Sequence, residues 1–298
     1  MNPIKLTGVI PPMITPFKEN GDVDYDAFLF NLDRWNHSDL CGYLVLGSNS
    51  ETAYLNEQEK GKLIELTISH TKSGRFIVAG TGMESTRATI ELTNHAAALG
   101  AHAALVLTPF YYISKMTDEA LITFFTDVAD HADIPILIYN VTKFTHINVS
   151  AHVVKILSQH PNIIGMKDSS GNVPQLINYQ SVMAPDFNLM TGTAGIWYPA
   201  LKLGVSAGIL ALANILPDEC TRVQREFTAD NEQSAETLYR RLFPVNKAIT
   251  VTYGVAGLKY AADLLGYNGG YVRKPLLPLK DSEKHSLENV LNEAGYCS

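Results

Sequence analysis

Lys167 is the residue whose type and setting most narrow the chemistry open to this chain. It lies in Asn-Ile-Ile-Gly-Met-Lys-Asp-Ser-Ser-Gly, residues 162–171, at the close of an apolar run. Desolvation favours the neutral form of an amine, and a neutral amine adds to a ketone to give an imine. Once protonated, the imine draws electrons from the neighbouring carbon, so a C–C bond can be made or broken there. The structural alternative is a lysine that snorkels to solvent or pairs with Asp168. Tyr139 ends a second run, Pro-Ile-Leu-Ile-Tyr-Asn (135–140). A phenol there can pass protons during imine chemistry, or it can be an amphipathic core tyrosine. A third run leads into Gly47-Ser48-Asn49-Ser50. The glycine lets backbone N–H groups approach a ligand, and Ser48, Asn49 and Ser50 are donors for a carboxylate; the same residues also suit an ordinary turn with helix caps. An aromatic loop, Thr108-Pro-Phe-Tyr-Tyr112, offers Tyr111 and Tyr112 or plain packing. Gly192-Thr-Ala-Gly195 offers a possible anion cradle or an unremarkable turn.

These residues act together only if something brings them to one place. Eight short apolar runs recur, at residues 9–13, 42–47, 76–80, 103–107, 134–139, 163–168, 189–192 and 207–211. Most are apolar throughout, as parallel strands buried on both faces are. Between most of them lie segments with helical periodicity. Asn56 with Glu59 reads as a capping box. Ala88, Leu92, His95, Ala96 and Leu99 form one expected apolar stripe, and Ser150 caps an expected helix bearing Val153, Val154, Ile156 and Leu157. Repeated strand–helix units imply a parallel sheet, and eight of them close into a (β/α)8 barrel whose strand ends share one active face. A doubly wound open sheet is the alternative, but no Gly-x-Gly-x-x-Gly follows the first run. After about residue 215 the strand signal stops. Residues 218–230, 233–250, 257–265 and 280–293 read as helices, giving an α/β barrel over 1–217 and a helical C-terminal extension over 218–298.

Composition removes other classes. The chain has 298 residues, 46% hydrophobic and 18% charged, with a net charge of −7 and a pI of about 5.7. An acidic protein without clustered Lys and Arg does not suit nucleic acid. No apolar run reaches membrane-spanning length, and Met-Asn-Pro-Ile-Lys has no signal-peptide or transit-peptide pattern, so a cytoplasmic protein is expected. Cys41, Cys220 and Cys297 are too few and too scattered for a disulfide framework or a Cys-based metal site. The nine histidines include no His-x-His or His-x-x-x-His pair, so no metal is expected.

The same motifs resemble the pyruvate-dependent class I aldolase superfamily that includes dihydrodipicolinate synthase and N-acetylneuraminate lyase, and the similarity runs from end to end. The resemblance implies that Lys167 is the Schiff-base lysine and Tyr139 the active-site tyrosine, 28 residues apart as in the family. Gly47, Ser48 and Asn49 would bind the pyruvyl carboxylate, with Glu51 closing a Gly-x-x-Gly-Glu turn whose fourth position is here Ser50. Tyr111 would be the tyrosine that neighbouring subunits exchange, and Ile209 an apolar wall with a backbone contact near the substrate. No cofactor beyond the covalent imine is implied. Small 2-oxo acid and aldehyde substrates are, together with a homotetramer built from tight dimers.

Within that superfamily the similar stretches fall closest to 4-hydroxy-2-oxoglutarate aldolase. They are Gly-Ser-Asn at 47–49, Glu-Ser-Thr-Arg-Ala-Thr at 84–89, Leu-Ser-Gln-His-Pro-Asn-Ile-Ile-Gly-Met-Lys-Asp at 157–168, Ala-Leu-Ala-Asn at 211–214, Gly-Leu-Lys at 257–259 and Gly-Tyr-Asn-Gly-Gly at 266–270. Dihydrodipicolinate synthase carries a carboxylate-binding arginine five residues after its tyrosine. Here that position is Phe144, which cannot make a bidentate contact; Lys143 is adjacent and expected to point elsewhere. The expectation is therefore a lyase that joins or releases pyruvate and a small aldehyde, with glyoxylate the leading acceptor. The synthase using aspartate semialdehyde and a sialic-acid-type lyase are the alternatives. A non-catalytic 2-oxo-acid-binding regulator would need neither Lys167 nor Tyr139.

Overall fold

The apolar runs form eight parallel strands, because residues facing inward and residues facing the surrounding helices are apolar alike. In β5 (Ile136–Asn140), Leu137 and Tyr139 join the cluster inside the barrel, while Ile136 and Ile138 pack outward. The other strands are β1 (Gly8–Ile10), β2 (Gly42–Val45), β3 (Phe76–Gly80), β4 (Ala103–Leu107), β6 (Ile163–Asp168), β7 (Asn188–Thr191) and β8 (Ala207–Ile209). This computed structural model describes residues 4–297, so the first three residues of the N-terminal stretch lie outside the described part. The strand order is β1-β8-β7-β6-β5-β4-β3-β2. The ring closes between β1 and β2 through Leu44 N–H to the Pro11 carbonyl (3.0 Å) and Met13 N–H to the Leu44 carbonyl (2.9 Å). Pro11 and Pro12 have no N–H to give a ladder, which ends β1 at Ile10 rather than Met13 and leaves this seam a single bridge.

Eight helices follow the strands in turn: α1 (Tyr25–Asn36), α2 (Glu57–His70), α3 (Thr86–Leu99), α4 (Asp118–His131), α5 (Ala151–Leu157), α6 (Val173–Gln180), α7 (Trp197–Lys202) and α8 (Pro217–Thr228). Six begin at a side-chain cap, among them the Asn56–Glu59 box and Ser150. One expected stripe is rotated. In α3 the buried residues are Thr89, Thr93 and Ala96, while His95 is exposed. The threonines can turn inward because their hydroxyls are satisfied: Thr93 meets Thr81 at 2.7 Å, and Thr89 donates to the Ser85 carbonyl at 3.0 Å. On α5, Ile156 lies outside the buried face formed by Val153, Val154 and Leu157.

Three further helices complete the chain: α9 (Glu232–Lys247), α10 (Gly254–Leu264) and α11 (Asp281–Glu293), with a π turn at Ala248–Thr252 between the first two. The division into 1–217 and 218–298 is kept as a proposal about chain organisation. A single apolar cluster, including Met13, Trp35, Val245, Leu258 and Leu287, runs through both parts. The extension also reaches the barrel's upper loops, where the Tyr239 hydroxyl donates to the Gly195 carbonyl (2.5 Å) and Lys143 Nζ to the Thr250 carbonyl (2.7 Å). Among the described residues, no helix is long and apolar enough to cross a membrane.

Candidate active site

Parallel pairing sets Tyr139 of β5 beside Lys167 of β6, and Asn140 beside Asp168. Because side chains alternate along a strand, the first pair points into the barrel and the second away from it. Lys167 is 3% exposed, and its Nζ lies 4.1 Å from the centre of the Tyr139 ring. Among the described residues no carboxylate comes within ion-pair distance of it. Asp168 is committed elsewhere, accepting from Asn140 Nδ2 (2.7 Å), Ser170 Oγ (2.5 Å) and Gln175 Nε2 (3.0 Å). Burial pushes the Asp168 carboxyl above its ordinary value, opposed by those three donors. Lys167 is thus neither snorkelling nor paired.

Gly192, at the end of β7, acts differently from an anion cradle. A Cβ there would fall 1.8 Å from Ser169 Oγ and 2.9 Å from Lys167 Cε. Its N–H donates to the Asp168 carbonyl (2.6 Å), and the Thr193 and Gly195 N–H groups donate to Thr191 Oγ1 (3.4 Å) and Thr193 Oγ1 (3.1 Å). What Gly192 supplies is the space in which the lysine side chain lies. Ser169 Oγ is buried beside it and is among the groups that favour the Tyr139 phenolate. It is a polar group that the sequence reading did not single out.

The segment after β2 opens with a 3-10 turn over Ser48–Ser50 and continues in a second over Thr52–Tyr54. Ser48 Oγ reaches the Tyr139 hydroxyl at 3.4 Å, and the opening N–H groups of such a turn have no partner inside it. Ser50 departs from expectation. Its hydroxyl donates to the Met13 carbonyl at 2.6 Å, so it is not a free donor. Nor does its backbone need glycine: the left-handed residues are Leu46 (φ 60°) and Glu51 (φ 55°), each costing roughly 1–2 kcal/mol. Burial pushes the Tyr139 phenol up, but the Lys167 charge and the Ser48 hydroxyl outweigh it and hold the phenol below the usual tyrosine value.

Ile209 of β8 is fully buried in the interior cluster that also holds Tyr139. Tyr111 is not with them. It is 74% exposed, beside Tyr112 at 70%, on a loop whose Phe110 and Tyr111 N–H groups donate to Glu84 (3.0 and 2.8 Å). Phe144 is half-exposed on the turn after β5, and Lys143 is occupied by the Thr250 carbonyl. Also unforeseen is a polar network behind the Ser48 turn that joins Glu51 to Lys259 and Arg273. In sequence Glu51 closes the turn and Lys259 stands in Gly-Leu-Lys, with nothing to join the two.

The chain is similar to known proteins over almost its whole length. The sequence model of the dihydrodipicolinate synthetase family matches residues 5–294. The chain is 32% identical over 289 residues to a 4-hydroxy-tetrahydrodipicolinate synthase of Methanococcoides burtonii, covering 97% of this chain and 98% of that one. It is 33% identical over 287 residues to one of Methanothrix thermoacetophila, covering 96% of each. Among solved structures, it resembles dihydrodipicolinate synthase from Aquifex aeolicus, with a TM-score of 0.92, 28% identity and coverage of 98% of this chain and 99% of that one. It also resembles the chloride-inhibited enzyme from Acinetobacter baumannii complexed with pyruvate, with a TM-score of 0.90, 29% identity and coverage of 97% and 99%.

Proposed function

The chain belongs to the dihydrodipicolinate synthetase family, and on that premise we propose that its Lys167 captures pyruvate as an imine and joins it to a small aldehyde, or runs the same steps backwards. The observation that carries this reading is a buried lysine, unpaired with any carboxylate, lying 4.1 Å from the ring of Tyr139. The neutral Lys167 amine adds to the pyruvate C2, and the carbinolamine loses its oxygen as water after protonation by the Tyr139 hydroxyl. The resulting iminium lets C3 lose a proton to give an enamine. That carbon attacks the aldehyde carbon, the new alkoxide takes a proton, and water returns to C2 to free the lysine. The Ser48 and Asn49 donors hold the pyruvyl carboxylate, and Ile209 and Gly192 shape the wall around it. No metal enters the scheme. The proposed setting is a cytoplasmic homotetramer, and the exposed Tyr111, which the family resemblance assigns to a neighbour's site, supports a contact between subunits.

For the acceptor aldehyde, the named relatives support the 4-hydroxy-tetrahydrodipicolinate synthase reading, with aspartate semialdehyde, better than the 4-hydroxy-2-oxoglutarate reading, with glyoxylate. One observation favours the second: Phe144 stands where the synthase has its carboxylate-binding arginine, and neighbouring Lys143 is engaged by the Thr250 carbonyl. The experiment has two stages. Incubation with pyruvate and borohydride should leave a reduced adduct on the peptide containing Lys167; its absence would end the imine reading. A panel of aspartate semialdehyde, glyoxylate and N-acetylmannosamine then ranks acceptors by kcat/KM. Fastest turnover of aspartate semialdehyde would make the Phe144 argument wrong.

A further inference from the structure

Behind the Ser48–Ser50 turn lies a buried ion pair that no step above uses. Glu51 ends the turn in a left-handed conformation, with its N–H closing onto the Ser48 carbonyl at 3.2 Å. Its Oε1 sits 2.5 Å from Lys259 Nζ of α10, with the side chains 1% and 2% exposed. Lys259 also donates to the Tyr271 carbonyl at 2.6 Å. The other carboxylate oxygen accepts the Arg273 N–H at 2.8 Å. Arg273 is itself fixed by Glu59 and by the Tyr54 and Gly21 carbonyls. Lys259 and the Arg273 guanidinium each lie 4.4 Å from the Phe17 ring.

A pair hidden this deeply adds little net stability, because desolvation cancels most of the attraction. Burial pulls the Lys259 ammonium down to about 8 against the attraction of Glu51. What such a pair supplies is geometry: one placement of Glu51 serves both partners, and that placement fixes the backbone of the turn. We propose that Glu51 and Lys259 are positioning residues, which together with Arg273 hold the turn so that the Ser48 and Asn49 donors meet the carboxylate of the 2-oxo acid. The C-terminal extension would then govern substrate capture without touching substrate. The inference rests on the carboxylate-binding role given above to Ser48 and Asn49.

The test measures borohydride trapping on Lys167 of the full chain against ketone concentration, for pyruvate and for acetone, which has no carboxylate. Lys259→Met and Glu51→Gln should each raise the half-saturating pyruvate concentration about tenfold or more. Half-saturation by acetone, and trapping at saturation, should stay near wild type. Unchanged pyruvate half-saturation overturns the proposal, and so does an equal loss for both ketones, which would mean general damage. If a single variant fails to fold, Glu51→Gln combined with Lys259→Met leaves no unpaired buried charge and carries the same expectations. Ser48→Ala with Asn49→Ala separates the two claims. No pyruvate shift in that control overturns the carboxylate reading and the proposal with it. A shift there with none in Lys259→Met overturns the positioning role alone.

Discussion

At Gly192 a single methyl group is enough to test where the reacting amine lies. Gly192→Ala would put its Cβ within 1.8 Å of Ser169 Oγ and 2.9 Å of Lys167 Cε. The Ser169 hydroxyl would have to rotate away and the end of the Lys167 side chain would have to move out of the space it now fills. The variant should keep its far-ultraviolet circular dichroism yet lose at least about tenfold in borohydride trapping with pyruvate; unaltered trapping would mean that the lysine side chain does not occupy this space. Tyr139 offers a second test. Its phenol is held below the usual tyrosine value chiefly by the charge of Lys167, against burial, with Ser48 contributing. The alkaline limb of kcat/KM reports groups of the free enzyme, so it should fall below pH 10. Ser48→Ala removes a hydrogen bond that favours the phenolate, so the limb should move upward; a downward shift would contradict the assigned contact.

At the scale of elements, α2 is tied to the C-terminal extension by Glu59, which serves the Asn56 capping box and also binds Arg273 at 2.6 Å. The Glu59 carboxyl is held below its ordinary value, first by the hydrogen bond from Arg273, against burial, and with help from the Asn56 N–H. A carboxylate with a depressed folded value binds fewer protons folded than unfolded. Its contribution to stability is therefore complete above the ordinary value of 4.5 and is lost as pH falls through the lower folded value. Thermal midpoints of the wild type should drop more steeply than those of Glu59→Gln on acidification, the two curves converging at low pH; parallel curves would exclude this linkage. Elements were also the most legible part of the sequence. The strands announced themselves because their inner and outer faces are both apolar, and six helices began at Ser, Thr, Asn or Asp. Legibility failed where a contact from elsewhere in the fold overrode a local pattern. The α3 stripe turned because Thr81 and the Ser85 carbonyl satisfy its threonines. Ser50 looked like a ligand donor until the Met13 carbonyl took its hydroxyl. Glu51, Lys259 and Arg273 could not be joined by inspection, since more than 200 residues separate Glu51 from its partners and charged side chains ordinarily face water. Lys167 and Tyr139 were legible because strand ends in a barrel converge whatever the sequence between them.

At the scale of the whole molecule, Tyr111 stands apart from the site that one chain builds. Lys167, Tyr139, Ser48 and Gly192 come together inside the barrel, while Tyr111 stands 74% exposed on a loop with Phe110, Tyr112 and Ile113, which are exposed as well. Apolar residues massed on a loop are what an interface between subunits covers. A two-fold interface presents the same patch from both sides, so each subunit would give its Tyr111 to the other. This arrangement makes a quantitative expectation. On the proposal that the Tyr111 hydroxyl serves proton transfer in the neighbour's site, Tyr111→Phe alone should lower kcat by about 10²-fold or more, with little change in thermal midpoint. Lys167→Ala alone should be inert. Co-expressing the two in equal amounts gives hybrid dimers in which one site carries both defects and the other carries neither. Hybrids form half of a random mixture, so activity should return to roughly a quarter of wild type. If Tyr111 instead folds back onto its own chain's site, every site in the mixture lacks either the lysine or the tyrosine hydroxyl. Activity then stays at the average of the two variants, which excludes the exchanged tyrosine.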